Sequence, residues 1–113
     1  MIYNIDCIDF MKNCKSKVNL VLTSPPYNMT KRPGGAADSG RYDEYNDWKE
    51  PKEYMEWTAN IFNHFDNILV ENGVVLYNFS YSIENPSLPY ELVAHIVNNT
   101  NFCIADTIEG RTR

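Results

Sequence analysis

The stretch VNLVLTSPPYN, residues 18–28, decides the fold of this 113-residue chain. Its first six residues are mostly apolar, which predicts a buried strand. Each proline then fixes its own φ and pushes the residue before it toward extended backbone, so the turn after the strand is stiff. Neither proline has an N–H, and the turn presents mainly acceptors: the carbonyls of Ser24 and Pro25 and the hydroxyl of Ser24. An acceptor cluster of this kind suits an incoming NH2 group.

Strands and helices alternate on both sides of this stretch. The periodicity predicts strands over 2–5, 18–23, 73–81 and 102–105 and helices over 8–14, 51–69 and from 89 onward. We expect Glu71-Asn72-Gly73 to form the turn that ends the second helix. The side chains expected to face inward from the last two helices are Tyr54, Trp57, Ile61, Phe65, Ile68, Leu69, Leu92, Val93, Ile96 and Val97.

This alternation predicts an α/β fold with a largely parallel sheet in a single domain, residues 1–113. The apolar run 74–79 is typical of a parallel strand that is covered on both faces. In such sheets ligands gather at the carboxyl ends of the strands, which is where the turn 24–28 and the segment after Phe79 would both lie.

The segment between the proline turn and the second helix is rich in glycine, proline and small residues. Its composition predicts a flexible loop over 29–47, which would serve as a lid or as a nucleic-acid contact. Lys31, Arg32 and Arg41 form a basic cluster that could meet phosphates. The alternative is a solvated loop of mixed charge, since Asp38, Asp43 and Glu44 share the segment.

The motif Thr23-Ser24-Pro25-Pro26-Tyr27 resembles the catalytic motif of the nucleic-acid amino-methyltransferases, in which Asp, Asn or Ser precedes Pro-Pro and an aromatic residue. With serine in first place it looks most like DNA methylases that modify N4 of cytosine or N6 of adenine, including those of restriction-modification systems. The element order resembles the subgroup whose catalytic motif precedes its cofactor motif. The resemblance implies a partial Rossmann-like fold and S-adenosylmethionine as cofactor.

The resemblance also assigns cofactor contacts. Asp6 would lie against the adenosyl part of S-adenosylmethionine, with Thr23 and Ser24 on the cofactor side of the turn. A helix N-cap is the alternative role for Asp6, and Ile5 stands where the family usually has glycine. The family's FxGxG-type glycine motif, which holds the methionine part of the cofactor, does not occur in these 113 residues. The resemblance therefore covers the catalytic half of such an enzyme.

The same resemblance assigns roles in catalysis. The exocyclic nitrogen of a base is a poor nucleophile because its lone pair is delocalised into the ring. Hydrogen bonds accepted by the Ser24 hydroxyl and the Pro25 carbonyl would localise that pair toward the methyl group, while Pro26 keeps the turn rigid. Tyr27 would stack on a base taken out of the duplex. Asn28 would steady the turn or touch the substrate.

Composition sets limits on partners and location. The net charge of −5 means that this chain would reach double-stranded DNA through a neighbouring recognition region, with Lys31 and Arg32 as its own phosphate contacts. A complementing half or a second copy of the chain is the expected protein partner. The three cysteines lack the spacing of a metal site. No apolar run approaches the roughly 20 residues of a membrane span, and Met1 is not followed by a leader, so we expect a cytoplasmic protein.

Two other functions fit the same residues. One is a non-catalytic interaction module derived from a methylase. The other is a methyltransferase that acts on RNA or on a protein amide, for which asparagine in place of Ser24 would be the stronger signal. A general nucleotide-binding domain is disfavoured, because the chain has neither a GxGxxG motif nor a phosphate-binding loop motif.

Overall fold

The structure, a computed structural model, describes residues 1–26, 28, 49–80 and 85–108. Within them the order of elements is α1 (Cys7–Asn13), β1 (Val18–Thr23), α2 (Pro51–Ile68), β2 (Leu69–Tyr77) and α3 (Leu88–Asn99). β1 and β2 pair in parallel, which confirms the predicted α/β architecture. The predicted flexible loop 29–47 lies outside the described residues, as do Tyr27, Lys31, Arg32 and Arg41.

Both α1 and α2 begin at a residue that favours the start of a helix. Oδ1 of Asp6 accepts hydrogen bonds from the backbone N–H groups of Ile8 and Asp9, at 2.9 and 3.3 Å, and so caps α1. Pro51 occupies the first position of α2, where the absence of an N–H costs no hydrogen bond. The start of α2 agrees with the predicted residue, and α1 begins one residue before the predicted start at Ile8.

The core lies between the sheet and the helices α1, α2 and α3. The helix α2 connects two parallel strands and packs its apolar stripe inward, while α3 packs on α2. Phe62, which falls outside the predicted stripe, is central: its ring centroid lies 4.9 Å from that of Tyr77 and 5.3 Å from that of Phe102. The buried cluster consists of Met11, Tyr54, Ile61, Phe62, Phe65, Ile68, Leu69, Leu88, Leu92 and Ile96.

The turn predicted at Asn72-Gly73 lies inside β2 and does not end the helix, so that prediction was wrong in its placement. Val18 pairs with Leu69, but Leu20 pairs with Val74, so extra β2 residues leave the regular register between these pairs. Asn72 has a φ of 66°, in the left-handed region. A Cβ on Gly73 would lie 2.8 Å from Leu69 Cδ2 and 2.9 Å from the carbonyl oxygen of Val70. The irregular part of β2 therefore needs glycine at position 73.

The strands predicted at 2–5 and 102–105 do not form. Ile2 and Ile5 are 97% and 54% exposed, and neither segment pairs with β1 or β2. Phe102 is held by its ring contact with Phe62 instead of by a strand ladder. A short apolar segment needs a neighbouring strand to satisfy its backbone groups, and among the described residues these two segments have none.

Both faces of the sheet were expected to be covered, and the described part of the chain covers only one. Leu20 pairs with Val74 and Leu22 with Leu76, and these four side chains are between 44% and 72% exposed. On α3, Val93 and Val97 are likewise exposed at 40% and 42%, so the prediction that they face inward was wrong. Leu88, Leu92 and Ile96 are the buried residues of α3, because α3 contacts α2 along a narrow stripe.

Candidate active site

The two strands end side by side, and their ends form the candidate site. Thr23 pairs with Tyr77 in the last register position. One residue further, the backbone N–H of Asn78 donates to the carbonyl of Thr23 at 2.9 Å, and the Asn78 side-chain NH2 donates to Ser24 Oγ at 3.3 Å. Ser24 is exposed. The carboxyl ends of the two strands thus lie side by side, as a parallel sheet predicts, with Asn78, which precedes Phe79, at the contact.

A side chain from α2 holds a second residue of the turn, Pro26. Tyr54 is 1% exposed, and its hydroxyl donates to the Pro26 carbonyl. Its ring centroid lies 5.5 Å from that of Trp57 and 6.0 Å from that of Phe79. Since buried tyrosines usually find a partner for the hydroxyl, this aromatic cluster fixes the start of α2 against the turn.

A third attachment runs through Asn28. This residue has a φ of 57° and is 1% exposed. Its Nδ2 donates to the carbonyl of Lys49 at 2.8 Å, and its Oδ1 accepts from the Lys49 backbone N–H at 2.5 Å. The Lys49 ammonium lies 5.8 Å from the centroid of the Trp57 ring, within range of a cation–π contact. The Asn28 amide therefore ties the end of the turn to the residue two before α2.

The residues of the turn differ in what their oxygen atoms bind. The Pro26 carbonyl is engaged by Tyr54, whereas the acceptors predicted to meet the substrate are the Ser24 hydroxyl and the Pro25 carbonyl. Ser24 is exposed and Pro25 is half-buried. The arrangement can receive N–H donors at Ser24 and Pro25 while the Tyr54 hydroxyl holds the Pro26 carbonyl.

Asp6 is the helix N-cap that the sequence allowed. Its Oδ1 is occupied by the two backbone donors of α1, and the carboxylate as a whole is exposed. The next residue, Cys7, adds a small electrostatic contribution to the raised pKa of Tyr77, after the burial of the Tyr77 hydroxyl.

Two groups, Tyr77 at the end of β2 and Cys7 at the start of α1, have raised pKa values. The Tyr77 hydroxyl lies beside Thr58 without a well-formed hydrogen bond among the described residues, and burial raises the pKa of Tyr77 well above its usual range. Partial burial and then the Asp6 carboxylate raise the pKa of the Cys7 thiol. Neither group is an activated nucleophile near neutral pH.

Sequence analysis missed three residues that hold the site. Tyr54 was assigned to the core by its helical spacing alone, yet a tyrosine in an otherwise apolar stripe carries a hydroxyl that needs a partner. Asn78 was counted within an apolar run, although an amide directly after a strand in a parallel sheet points to the ligand-binding edge. For Lys49 the sequence carries no signal, because its backbone is what Asn28 binds.

Tyr54→Phe is expected to lower the free energy of unfolding by about 1 kcal/mol, since it removes one buried hydrogen bond and leaves the Pro26 carbonyl unpaired. Urea unfolding of the chain measures this change. The matched control is Tyr90→Phe, because the Tyr90 side chain is 79% exposed. Equal stabilities of the two variants would contradict the attachment of the turn to α2.

The part of the chain that the structure describes contains neither a metal-binding cluster nor a membrane-spanning helix. There, no three His, Cys, Asp or Glu side chains come together in a way that would hold a metal ion. Nor is any helix among those residues long and apolar enough to span a membrane.

The parallel sheet with a proline turn at the carboxyl end of β1 is an α/β arrangement. A family model described as DNA methylase matches residues 18–112, well over half of the chain. The chain belongs to this DNA methylase family. No curated protein and no solved structure matches it.

Proposed function

We propose that this chain carries the catalytic turn of a DNA amino-methyltransferase, which moves a methyl group from S-adenosylmethionine to an exocyclic nitrogen of cytosine or adenine. The observation that supports this proposal is the Ser24-Pro25-Pro26 turn, held at the end of β1 by bonds from two other elements, in a member of the DNA methylase family.

The turn's contribution is electrostatic and orientational. The Ser24 hydroxyl and the Pro25 carbonyl accept hydrogen bonds from the two N–H groups of the base, which favours a pyramidal nitrogen whose lone pair points out of the ring plane. No covalent bond to the protein would form: the nitrogen would gain the methyl group as the sulfur–carbon bond of the cofactor breaks, and the nitrogen would then lose one proton to water. The rigidity of the turn matters because a preorganised acceptor needs no rearrangement during the reaction. The hydrogen bonds from Tyr54 and Asn78 contribute to that rigidity.

The residues present fit part of the cofactor. The exposed Asp6 carboxylate suits a polar group of the adenosyl part, and Thr23 and Ser24, at the end of β1, are the other residues of this chain proposed to contact the cofactor. When bound, S-adenosylmethionine supplies an electrophilic methyl group. The glycine motif for its methionine part is absent from residues 1–113, so we assign that part to a complementing polypeptide, either a continuation of this chain or another subunit.

Duplex DNA is the proposed substrate, and its backbone is bound mainly by that complementing region. The chain's net charge of −5 is unfavourable for phosphate contacts. Lys31 and Arg32 are the residues of this chain proposed to meet phosphates, and Tyr27 is proposed to stack on the extruded base.

The absence of the glycine motif also favours one alternative, a non-catalytic interaction module derived from a methylase. Nucleoside mass spectrometry separates the two functions. Duplex DNA is incubated with labelled cofactor, the chain and its complement, and then digested. Labelled N4-methylcytosine or N6-methyladenine supports the enzyme and identifies the base, whereas unlabelled nucleosides with every complement support the module.

The 113-residue chain alone is expected to bind S-adenosylmethionine weakly or not at all, because the methionine part of the cofactor lacks its glycine motif. Isothermal titration calorimetry measures this directly, with S-adenosylhomocysteine as a second ligand. Binding with a micromolar or lower Kd by the 113-residue chain alone would contradict the assignment of the methionine part of the cofactor to sequence outside these residues.

A further inference from the structure

The side chain of Asn78 reaches the residue to which the proposed function gives the central role. Asn78 directly follows β2. Its backbone N–H donates to the Thr23 carbonyl at 2.9 Å, and its side-chain NH2 donates to Ser24 Oγ at 3.3 Å. Two donors of one residue thus meet two consecutive residues at the end of β1.

We propose that Asn78 is a positioning residue for the Ser24 hydroxyl, an inference that rests on the proposed function. A serine hydroxyl has one proton and two acceptor lone pairs, and it rotates freely unless a partner fixes it. The bond from Asn78 limits that rotation. It thereby orients the oxygen that, in the proposed function, accepts the N–H of the target base.

The side-chain bond is not what holds the two strands together. The backbone bond from Asn78 to Thr23 and the pairing of Thr23 with Tyr77 already fix the strand ends. Asn78 and Ser24 are both exposed, and a single exposed hydrogen bond contributes little to stability. Its consequence is therefore the orientation of one hydroxyl, which is the quantity on which the proposed chemistry depends.

The first arm of the test uses the 113-residue chain alone and needs no activity. The side-chain amide signals of Asn78 are followed by 15N–1H NMR in the unaltered chain and in Ser24→Ala. We expect the Asn78 signals to shift when the acceptor is removed. The amide of Asn101, which donates to Asp66 Oδ2 at 2.9 Å, is the internal reference and should not shift. Unchanged Asn78 signals would overturn the proposal.

The second arm is a double-mutant cycle of kcat in the methyl-transfer assay with the complementing polypeptide. Asn78→Ala is expected to lower kcat by about 10-fold to 100-fold through misorientation, with little change in KM. In the Ser24→Ala background the same substitution should cause no further loss, because the hydroxyl that it orients is gone. Asn101→Ala is the matched control and should keep the unaltered kcat.

The outcomes are distinguishable. A loss from Asn78→Ala that persists in the Ser24→Ala background would assign Asn78 a general structural role and overturn the proposal. Failure of the unaltered chain to transfer methyl groups with any complement would overturn the proposed function and the positioning role together. In that case shifted Asn78 signals would still establish the bond, as a structural one.

Discussion

Replacing Ser24 by alanine is expected to lower the rate of methyl transfer by about 10²-fold or more. The substitution removes one of the two acceptors for the target NH2 group, and loss of a single preorganised hydrogen bond that acts in the transition state has an effect of this size. KM for DNA should change less than kcat, because the phosphate contacts lie elsewhere. The measurement is transfer of labelled methyl groups to duplex DNA.

The matched control for this variant is Ser16→Ala, an exposed serine that follows α1 and lies outside the proline turn. Both variants should unfold at nearly the same urea concentration as the unaltered chain, since both serines are exposed and contribute little to stability. A Ser24→Ala variant that is folded and transfers methyl groups at the unaltered rate would show that the turn is structural.

Tyr27→Ala is expected to produce the second large effect. The stacking of a base on an aromatic ring contributes about 1–3 kcal/mol, so loss of the ring should weaken capture of the extruded base and slow turnover. Tyr27→Phe keeps the ring and should be mild. Fluorescence of 2-aminopurine at the target position measures extrusion separately from transfer, because the probe brightens when it leaves the stack.

Tyr90→Ala removes an exposed tyrosine from α3 and serves as the control for general effects of losing a ring. If Tyr27→Ala extrudes and methylates the base as well as Tyr90→Ala does, Tyr27 has no stacking role. If Tyr27→Phe is as defective as Tyr27→Ala, the hydroxyl matters more than the ring, and the stacking assignment fails.

Local sequence signals predicted the elements whose structure depends on local interactions. The boundaries of α2 followed from Pro51 and the apolar stripe, and β1 from the apolar run before the prolines. The turn at Asn72-Gly73 was also recognised, but sequence could not place it inside a strand. Its position depends on the pairing of Leu69 with Val18, a contact between residues far apart in the chain.

The prediction of strands at 2–5 and 102–105 was wrong for a related reason. Apolar composition gives a segment the capacity to pair but not a partner, and β1 and β2 pair only with each other in the described residues. The same limit applies to the open sheet face formed by Leu20, Leu22, Val74 and Leu76. A parallel strand pattern predicts two covered faces, whereas the described helices cover one.

For the candidate site, the sequence predicted the turn and its position but not the bonds that hold it. The proline motif located Ser24 at the edge of the sheet, and the parallel order brought the end of β2 beside it. The attachments through Tyr54, Asn78 and Lys49 join residues 21 to 54 positions apart. No periodicity within one element reports such contacts, so they appear only in the folded chain.

The most direct test of the central claim is the rate of labelled methyl transfer from S-adenosylmethionine to duplex DNA by the unaltered chain with its complementing polypeptide, compared with Ser24→Ala. The account predicts a labelled exocyclic amino group on cytosine or adenine, formed about 10²-fold more slowly by the variant. Equal rates for the two proteins, or label found on a ring carbon of the base, would contradict it.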